Sequence, residues 1–514
     1  MTNEEQVELE GDRFPGRTYA EVVLAPAYVQ AQAELLEPMM AINRAQLVML
    51  HEQRLITEAD ARCIARGLML LDTQSLRKEP YTGQFEDLFF HVEHALSEFV
   101  GDAAYHLHIG RSRNDMGIAM YRMVLREKVT STLRAALFVQ RRLIDFAKQH
   151  TDTIMLGYTH TQQAQPTTMA HYVAAVIDSL ERDIVRLRAA FANCNRSSMG
   201  AAALTTSGFA LNRERMAELL GFDGIIENAY DAVSGADYVG EVATAVQLAA
   251  LNLGRFVQEL LLWCTQEFAA IRVADPYVQV SSIMPQKRNP VSIEHMRSLL
   301  SRCAGNAQTV LTMLHNTPFG DIVDTEDDMQ PYAWKCLSTL EQVYRLLGWV
   351  VSSLTVNREK LLARAESSFA TVTELADTIV RKEGLSFRTA HTIVSRVVQQ
   401  AARSDGHAPQ GANSGEHVDG QVQHITIRLL NEAAQDLIGR PLALSEAEVI
   451  EALQPARFIA VRALIGGPNK DEMTRALAEQ TTRLANSERW LNETQNQFVQ
   501  ALEAGRQLVG KWAE

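Results

Sequence analysis

The sequence predicts an all-α protein built on very long helices. Three observations carry this: long stretches lack glycine and proline, apolar residues recur every three or four positions, and alternating strand patterns are scarce. The first hundred or so residues read as shorter helices. From Ile118 to His150 there is neither glycine nor proline. Ile118, Tyr121, Leu125, Val129, Thr132, Ala136, Val139, Leu143 and Phe146 step by three or four, and only Thr132 breaks the apolar stripe. A continuous helix there is about 50 Å long at 1.5 Å per residue. A second such stretch runs from Thr167 to Met199. Two more, Gly240 to Ala274 and Val291 to Asn316, hold at most an internal glycine. Segments 158–166, 276–290 and 317–331 read as the loops between them. Residues 404–420, SDGHAPQGANSGEHVDG, read as a mobile loop inside a C-terminal region, and 470–514 is again helical and charged. Helices this long cannot bury their stripes in a small monomer, so they imply a bundle shared between subunits.

With 514 residues the chain has room for about three domains. Acidic residues number 62 and basic residues 49, a net charge of −13, which argues against a nucleic-acid binder. An anionic substrate then needs a local cationic pocket. Five scattered cysteines form no CxxC pair, so neither a disulfide framework nor a zinc module is expected, and a reducing, cytoplasmic setting fits. The opening MTNEEQVELEGDR lacks the basic and apolar regions of a secretory signal, and no apolar run is long enough to span a membrane. His91 with His94, and His106 with His108, have no third ligand at a recognisable spacing, so no metal is expected. P-loop, GxGxxG and GxSxG signatures are missing, which removes nucleotide, dinucleotide and serine-hydrolase readings.

Four segments could carry chemistry. SSIMPQKRNP (281–290) joins two serines to Lys287 and Asn289 in a loop restrained by Pro285 and Pro290, a donor set suited to an anion. The same residues also fit an ordinary solvated loop. HIGRSRND (108–115) holds Arg113 and Asn114, which can grip a carboxylate, and Asp115, which can equally cap the helix expected from Ile118. GYTHTQQAQP (157–166) carries Thr159 and His160 on a loop, as catalyst or as surface residues. NAYDAVSGADY (228–238) is the fourth. Glu294 is either a favoured acid in a helix's first turn or the partner of a catalytic histidine.

Together these segments resemble the fumarase/aspartase superfamily, and its argininosuccinate lyase branch in particular. SSIMPQKRNP resembles GSSxMPxKxNP, with Val280 where glycine is usual. HIGRSRND resembles HTGRSRND, with Ile109 for threonine, and GYTHTQQAQP resembles GYTHLQxAQP. The likeness continues through NAYDAVSGADY and TELADTIVRKEGLSFRTAH (373–391) to IGGPN (465–469), covering about residues 80 to 480. It implies an all-α, three-domain fold divided as 1–112, 113–364 and 365–514. It also implies a homotetramer whose active sites collect motifs from three subunits, with no metal or organic cofactor. The implied reaction is β-elimination of fumarate from an N-substituted aspartate. Ser281 would be the general base, and Lys287 and Asn289 would stabilise the dianionic aci-carboxylate. His160, paired with Glu294, would protonate the amine or position the substrate. Ser112, Arg113, Asn114 and Thr159 would hold the succinyl carboxylates, beside Ser282 and Met284.

The departures concern the amine end. Where the branch reads roughly YNxDLQEDKE, this chain reads GDIVDTEDDMQ (320–330). Gly320 replaces tyrosine, Thr325 glutamine and Asp328 lysine, while Glu326 and Asp327 match. Phe89 replaces a histidine in EDLFFHVE (86–93), and PAYVQAQAEL (26–35) lacks the aspartate expected for a guanidinium. The expected substrate is therefore an N-substituted aspartate whose amine is not arginine, such as the aminopolycarboxylate ethylenediamine-N,N'-disuccinate (EDDS), on which a relative of this profile acts. The alternatives are argininosuccinate lyase itself, a non-catalytic structural relative, and, more distantly, adenylosuccinate lyase.

Overall fold

The computed structural model describes residues 9–404 and 422–514. Most of the glycine-rich loop expected at 404–420 therefore lies outside the described residues. The fold is helical, as expected. The N-terminal region packs Ala25–Glu34, Leu36–Glu52, Glu58–Leu70 and Leu88–Val100 as shorter helices. Five long helices then form a bundle: Arg113–Lys148, Met169–Cys194, Asp237–Trp263, Val291–Leu314 and Gln330–Ser352.

The first bundle helix starts earlier than Ile118, because Gly117 does not interrupt it. Ser112, not Asp115, is its N-cap; Asp115 is the reciprocal partner in a capping box with Ser112. The second helix ends at Cys194, short of Met199, where Ser197 instead pairs with the 224–226 segment. The third ends at Trp263, well before Ala274. The Thr265 hydroxyl donates to the Leu262 carbonyl and accepts the Phe268 N–H, closing the helix, and Ile271–Arg272 joins Thr355–Val356 as a short antiparallel pair.

Two of the expected loops hold strands. Ile154–Thr159 and Gln162–Thr168 form an antiparallel hairpin, with a bulge between Leu156 and Tyr158. His160 and Thr161, at φ +52° and +62°, make its two-residue turn, the left-handed geometry that tight hairpins need. The polar, threonine-rich sequence hid this pairing because it lacks an alternating apolar face. Gln279–Val280 and Arg288–Asn289 pair likewise, so 281–287 is a loop closed at its base. Residues Asp324–Asp328 form a π-helical turn before the fifth helix.

Side-chain contacts fix the helix directions. Arg122 reaches Asn193 and Gln140 reaches Glu181, so the first two helices are antiparallel. Asn193 meets Glu241 and Asn252 meets Asp183, which makes the third antiparallel to the second. Gln247 meets Gln308, and Cys303 Sγ meets the Cys336 carbonyl, so the direction alternates again twice. One end of the bundle thus carries the starts of the first, third and fifth helices. The other carries the hairpin, the 281–287 loop and the start of the fourth helix.

One hydrophobic cluster runs from Tyr28 to Leu361 and takes in Met473, Leu477, Leu484, Leu491 and Val509 of the 44-residue C-terminal helix Lys470–Ala513. A second, Leu375 to Leu453, forms its own core. Leu125, Val129, Val139 and Leu143 have no exposed surface, and each such burial contributes about 1.5–3 kcal/mol. Along the third helix, Thr244, Leu248, Leu251, Arg255, Gln258 and Leu262 form an exposed stripe at helical spacing. Among the described residues no helix is long and apolar enough to cross a membrane.

Candidate active site

Ser112 leaves the helix geometry in an extended conformation and accepts the Asn114 N–H, so the first turn presents Arg113 and Asn114 side by side. Arg113 Nη1 donates to Glu86 at 3.0 Å and to Asp87 at 2.7 Å, and its guanidinium lies 4.7 Å from the Phe90 ring centroid. Asn114 donates to Asp321, more than two hundred residues away. Behind them, Arg111 is buried and bonded to Asn43 at 2.7 Å; burial lowers its pKa to about 10.

Arg113 and Asn114 face a cavity of about 300 Å³ whose walls include Tyr28, Phe89, Tyr121, Asp321, Glu326 and Asp327. Tyr121 donates its hydroxyl to Asp327 at 2.7 Å. Burial raises the Asp327 carboxyl, against that bond. Glu326 is held well above the usual carboxylate range by burial and by sharing a hydrogen bond with Asp321. Among the described residues Arg113 is the one cation in this wall. Asp328 is exposed and is not part of it, so the acidic replacement noticed in the sequence is not the group nearest Arg113. Gly320 leaves open space where a side chain would begin.

Thr159 and His160 sit exposed at the tip of the hairpin. Its base is braced from behind: His171 bonds Thr167 at 2.7 Å and the Gly466 carbonyl at 2.9 Å, which gives the 465–469 segment a structural use. In the 281–287 loop, Ser281 Oγ accepts N–H bonds from Met284 at 3.1 Å and Ile283 at 3.4 Å. Lys287 N–H donates to the Met284 carbonyl at 2.9 Å. Ser282, Met284 and Lys287 are exposed, Ser281 and Asn289 are half-buried, and Glu294 is exposed in the first turn of the fourth helix.

The chain brings Ser112, Arg113 and Asn114 together and keeps them from the rest. They open a 36-residue helix whose far end leads to the hairpin. That helix is about 54 Å long, so within one protomer Arg113 stands on the order of 50 Å from His160. Among the described residues no hydrogen bond or ion pair joins His160 to Glu294. The sequence does not mark Glu86, Asp87 or Asp321 as site residues, and it shows Tyr121 only as part of the helix stripe. The contacts of Glu86, Asp87 and Asp321 to the Arg113 turn cross 26 to 207 residues, and Tyr121 reaches Asp327 across 206, so none leaves a local pattern. Among the described residues no group of three potential metal ligands occurs.

The chain matches the family described as Lyase over residues 70–305 and the family described as Argininosuccinate lyase C-terminal over 369–460. It is similar to argininosuccinate lyase 2 of Agrobacterium fabrum, at 38% identity over 91% of this chain and 90% of that one. It is similar to the argininosuccinate lyase of Methanosarcina barkeri at 34% identity, over 90% of each. Among solved structures it is similar to an EDDS lyase in complex with formate, with a TM-score of 0.83 and 29% identity over 94% of this chain and 92% of that one.

Proposed function

Because the chain belongs to the argininosuccinate lyase branch of the fumarase/aspartase superfamily, and is a carbon–nitrogen lyase, we propose that it eliminates fumarate reversibly from an aminopolycarboxylate such as EDDS. The observation that carries the choice of amine is the cavity beside Arg113. Its walls offer Asp321, Glu326 and Asp327 and, among the described residues, no second cation; Glu326 and Asp327 are common to the branch, so the distinction rests on Asp321 and on the missing cation. Argininosuccinate would bring an α-carboxylate to those walls without a counter-charge. The second ammonium of an ethylenediamine bridge lies only a few bonds from the leaving nitrogen and suits the Asp321 and Asp327 carboxylates. The likeness to an EDDS lyase structure supports the same substrate.

The chemistry follows from the groups present. The hydrogen removed is next to a carboxylate and is very weakly acidic, so the developing dianion needs prearranged donors. Lys287 and Asn289 supply them, and Ser281 is the base. Its hydroxyl already accepts two backbone N–H bonds, which favour the alkoxide over the alcohol. Arg113, Asn114, Ser112 and Thr159, with Ser282 and Met284, hold the succinyl half, and His160 with Glu294 handles the leaving amine.

These groups meet only between copies. The roughly 50 Å separation along the first bundle helix supports a tetramer in which one copy's Arg113 end receives the hairpin and the 281–287 loop of others. The exposed Leu248 and Leu251 stripe on the third helix supports a shared helical core. Five unpaired cysteines support a reducing, cytoplasmic setting.

A second reading, argininosuccinate lyase itself, is favoured by the 38% and 34% identities over most of the chain. Fumarate release followed by ultraviolet absorbance, with EDDS and argininosuccinate at equal concentration, separates them. Faster release from EDDS is expected. Release from argininosuccinate alone would overturn the choice of amine.

A further inference from the structure

We propose that Asp115 is the positioning residue of this site: its buried carboxylate clasps the turn bearing Arg113 and Asn114 to the turn at 197–202, and so sets where both side chains meet the substrate. This rests on the reading of Arg113 and Asn114 as the grip on the succinyl carboxylate.

Asp115 has no exposed surface. Its Oδ1 accepts the Ser112 N–H at 3.0 Å. Its Oδ2 accepts the Gly200 N–H at 2.9 Å and the Ala202 N–H at 3.0 Å. The Ser198 hydroxyl donates to the Asp115 carbonyl at 2.7 Å. Gly200 and Ala202 both hold positive φ, +79° and +53°, which turns their N–H groups inward as a small anion-binding concavity. A side chain on Gly200 would come within 2.7 Å of Arg213, so the turn is built around its own backbone.

The nearby cations are occupied elsewhere. Arg111 donates to Asn43, and Arg213 donates to the carbonyls of Met199, Ile226 and Glu227. The carboxylate is thus held mainly by three backbone N–H groups from two turns more than eighty residues apart. Three donors on two oxygens require two acceptor atoms. An amide supplies one, so Asp115→Asn must release either the Ser112 turn or the 197–202 turn. A released first turn lets Arg113 and Asn114 shift, which weakens a contact made equally in ground and transition states. Loss of such uniform binding raises KM and leaves kcat.

The test compares Asp115→Asn, Ser198→Ala and Arg113→Lys in the full-length enzyme. Fumarate is the probe of the succinyl half, measured by its Kd in calorimetry, alongside KM and kcat for EDDS. Asp115→Asn is expected to weaken fumarate tenfold or more and to raise KM similarly, with kcat within about threefold. Ser198→Ala loses the bond that joins the same two turns through the Asp115 main-chain carbonyl; it is expected to give a smaller shift of the same kind and keeps the test open if Asp115→Asn does not fold. If Arg113→Lys weakens fumarate but neither clasp variant does, Asp115 is not a positioning residue. If the clasp variants lower only the unfolding temperature and kcat, its role is structural and the proposal fails. If Arg113→Lys itself leaves fumarate binding unchanged, the reading of the grip is the part that is wrong.

Discussion

Asp87 divides its carboxylate between a helix and an arginine. Oδ1 accepts the Phe90 N–H at 3.0 Å and caps Leu88–Val100, while Oδ2 accepts from Arg113 at 2.7 Å. The two uses can be separated. Asparagine caps as well as aspartate but carries no charge, so Asp87→Asn should change stability by no more than about 0.5 kcal/mol and raise KM severalfold. Asp87→Ala should raise KM similarly and also cost about 1 kcal/mol in a denaturant titration. An Asp87→Asn enzyme with unaltered KM would mean that Asp87 serves the helix alone.

Ser281 contributes only turn contacts within its loop. Ser281→Ala should therefore fold and assemble as the parent does, with the same circular dichroism and elution volume. If it is the base, kcat should fall by about 10²–10⁴-fold, the usual worth of a positioned general base. A fall of less than tenfold would move that role to another group.

Glu326 gives a pH dependence with a defined sign. Burial and Asp321 hold its folded-state pKa above the ordinary 4.5. Above that value the unfolded chain releases the proton while the folded chain keeps it, so this group lowers stability as pH rises. Glutamine does not titrate. The gain in unfolding temperature from Glu326→Gln should therefore grow between pH 5 and pH 8. A gain that shrinks with rising pH would mean the carboxyl is ionised in the fold.

Gly221 closes the short helix Arg213–Leu220 at φ +68°, and a Cβ there would lie 2.6 Å from the Phe498 backbone. Gly221→Ala combines backbone strain with a clash against the C-terminal helix. We expect a loss of about 2 kcal/mol or more in urea unfolding, against less than 0.5 kcal/mol for Gly510→Ala, which meets open space on that same helix. Equal effects would mean that the C-terminal helix does not pack there.

The bundle was legible because its helices bury a continuous stripe, and a 3.6-residue period survives in sequence. The four chemistry-bearing segments were legible because their residue types and spacings are unusual together. Three kinds of feature were not legible. The hairpin at Ile154–Thr168 is polar on both faces near its tip, so Thr159, His160 and Gln163 show no alternation. The end of the third helix depends on the Thr265 cap, a single side chain in an otherwise helical stretch. The cavity wall joins Asn114 to Asp321 and Tyr121 to Asp327, pairs that only the parallel packing of the first and fifth bundle helices brings together. Asp115 illustrates the same limit: its cap role is local and readable, its bonds to Gly200 and Ala202 are not.

Arg113 and Ser281 lie at opposite ends of the same bundle, so a lyase site that needs both has to draw on more than one copy of the chain. At substrate concentrations at or below the parent KM, Arg113→Ala, through lost substrate binding, and Ser281→Ala, through the lost base, should each release little fumarate. Denatured together and refolded as mixed oligomers, they should recover roughly a quarter of the parent fumarate release, because each residue is intact in half of the copies. No recovery from well-folded mixed oligomers would contradict the shared site and require both residues to act within one protomer.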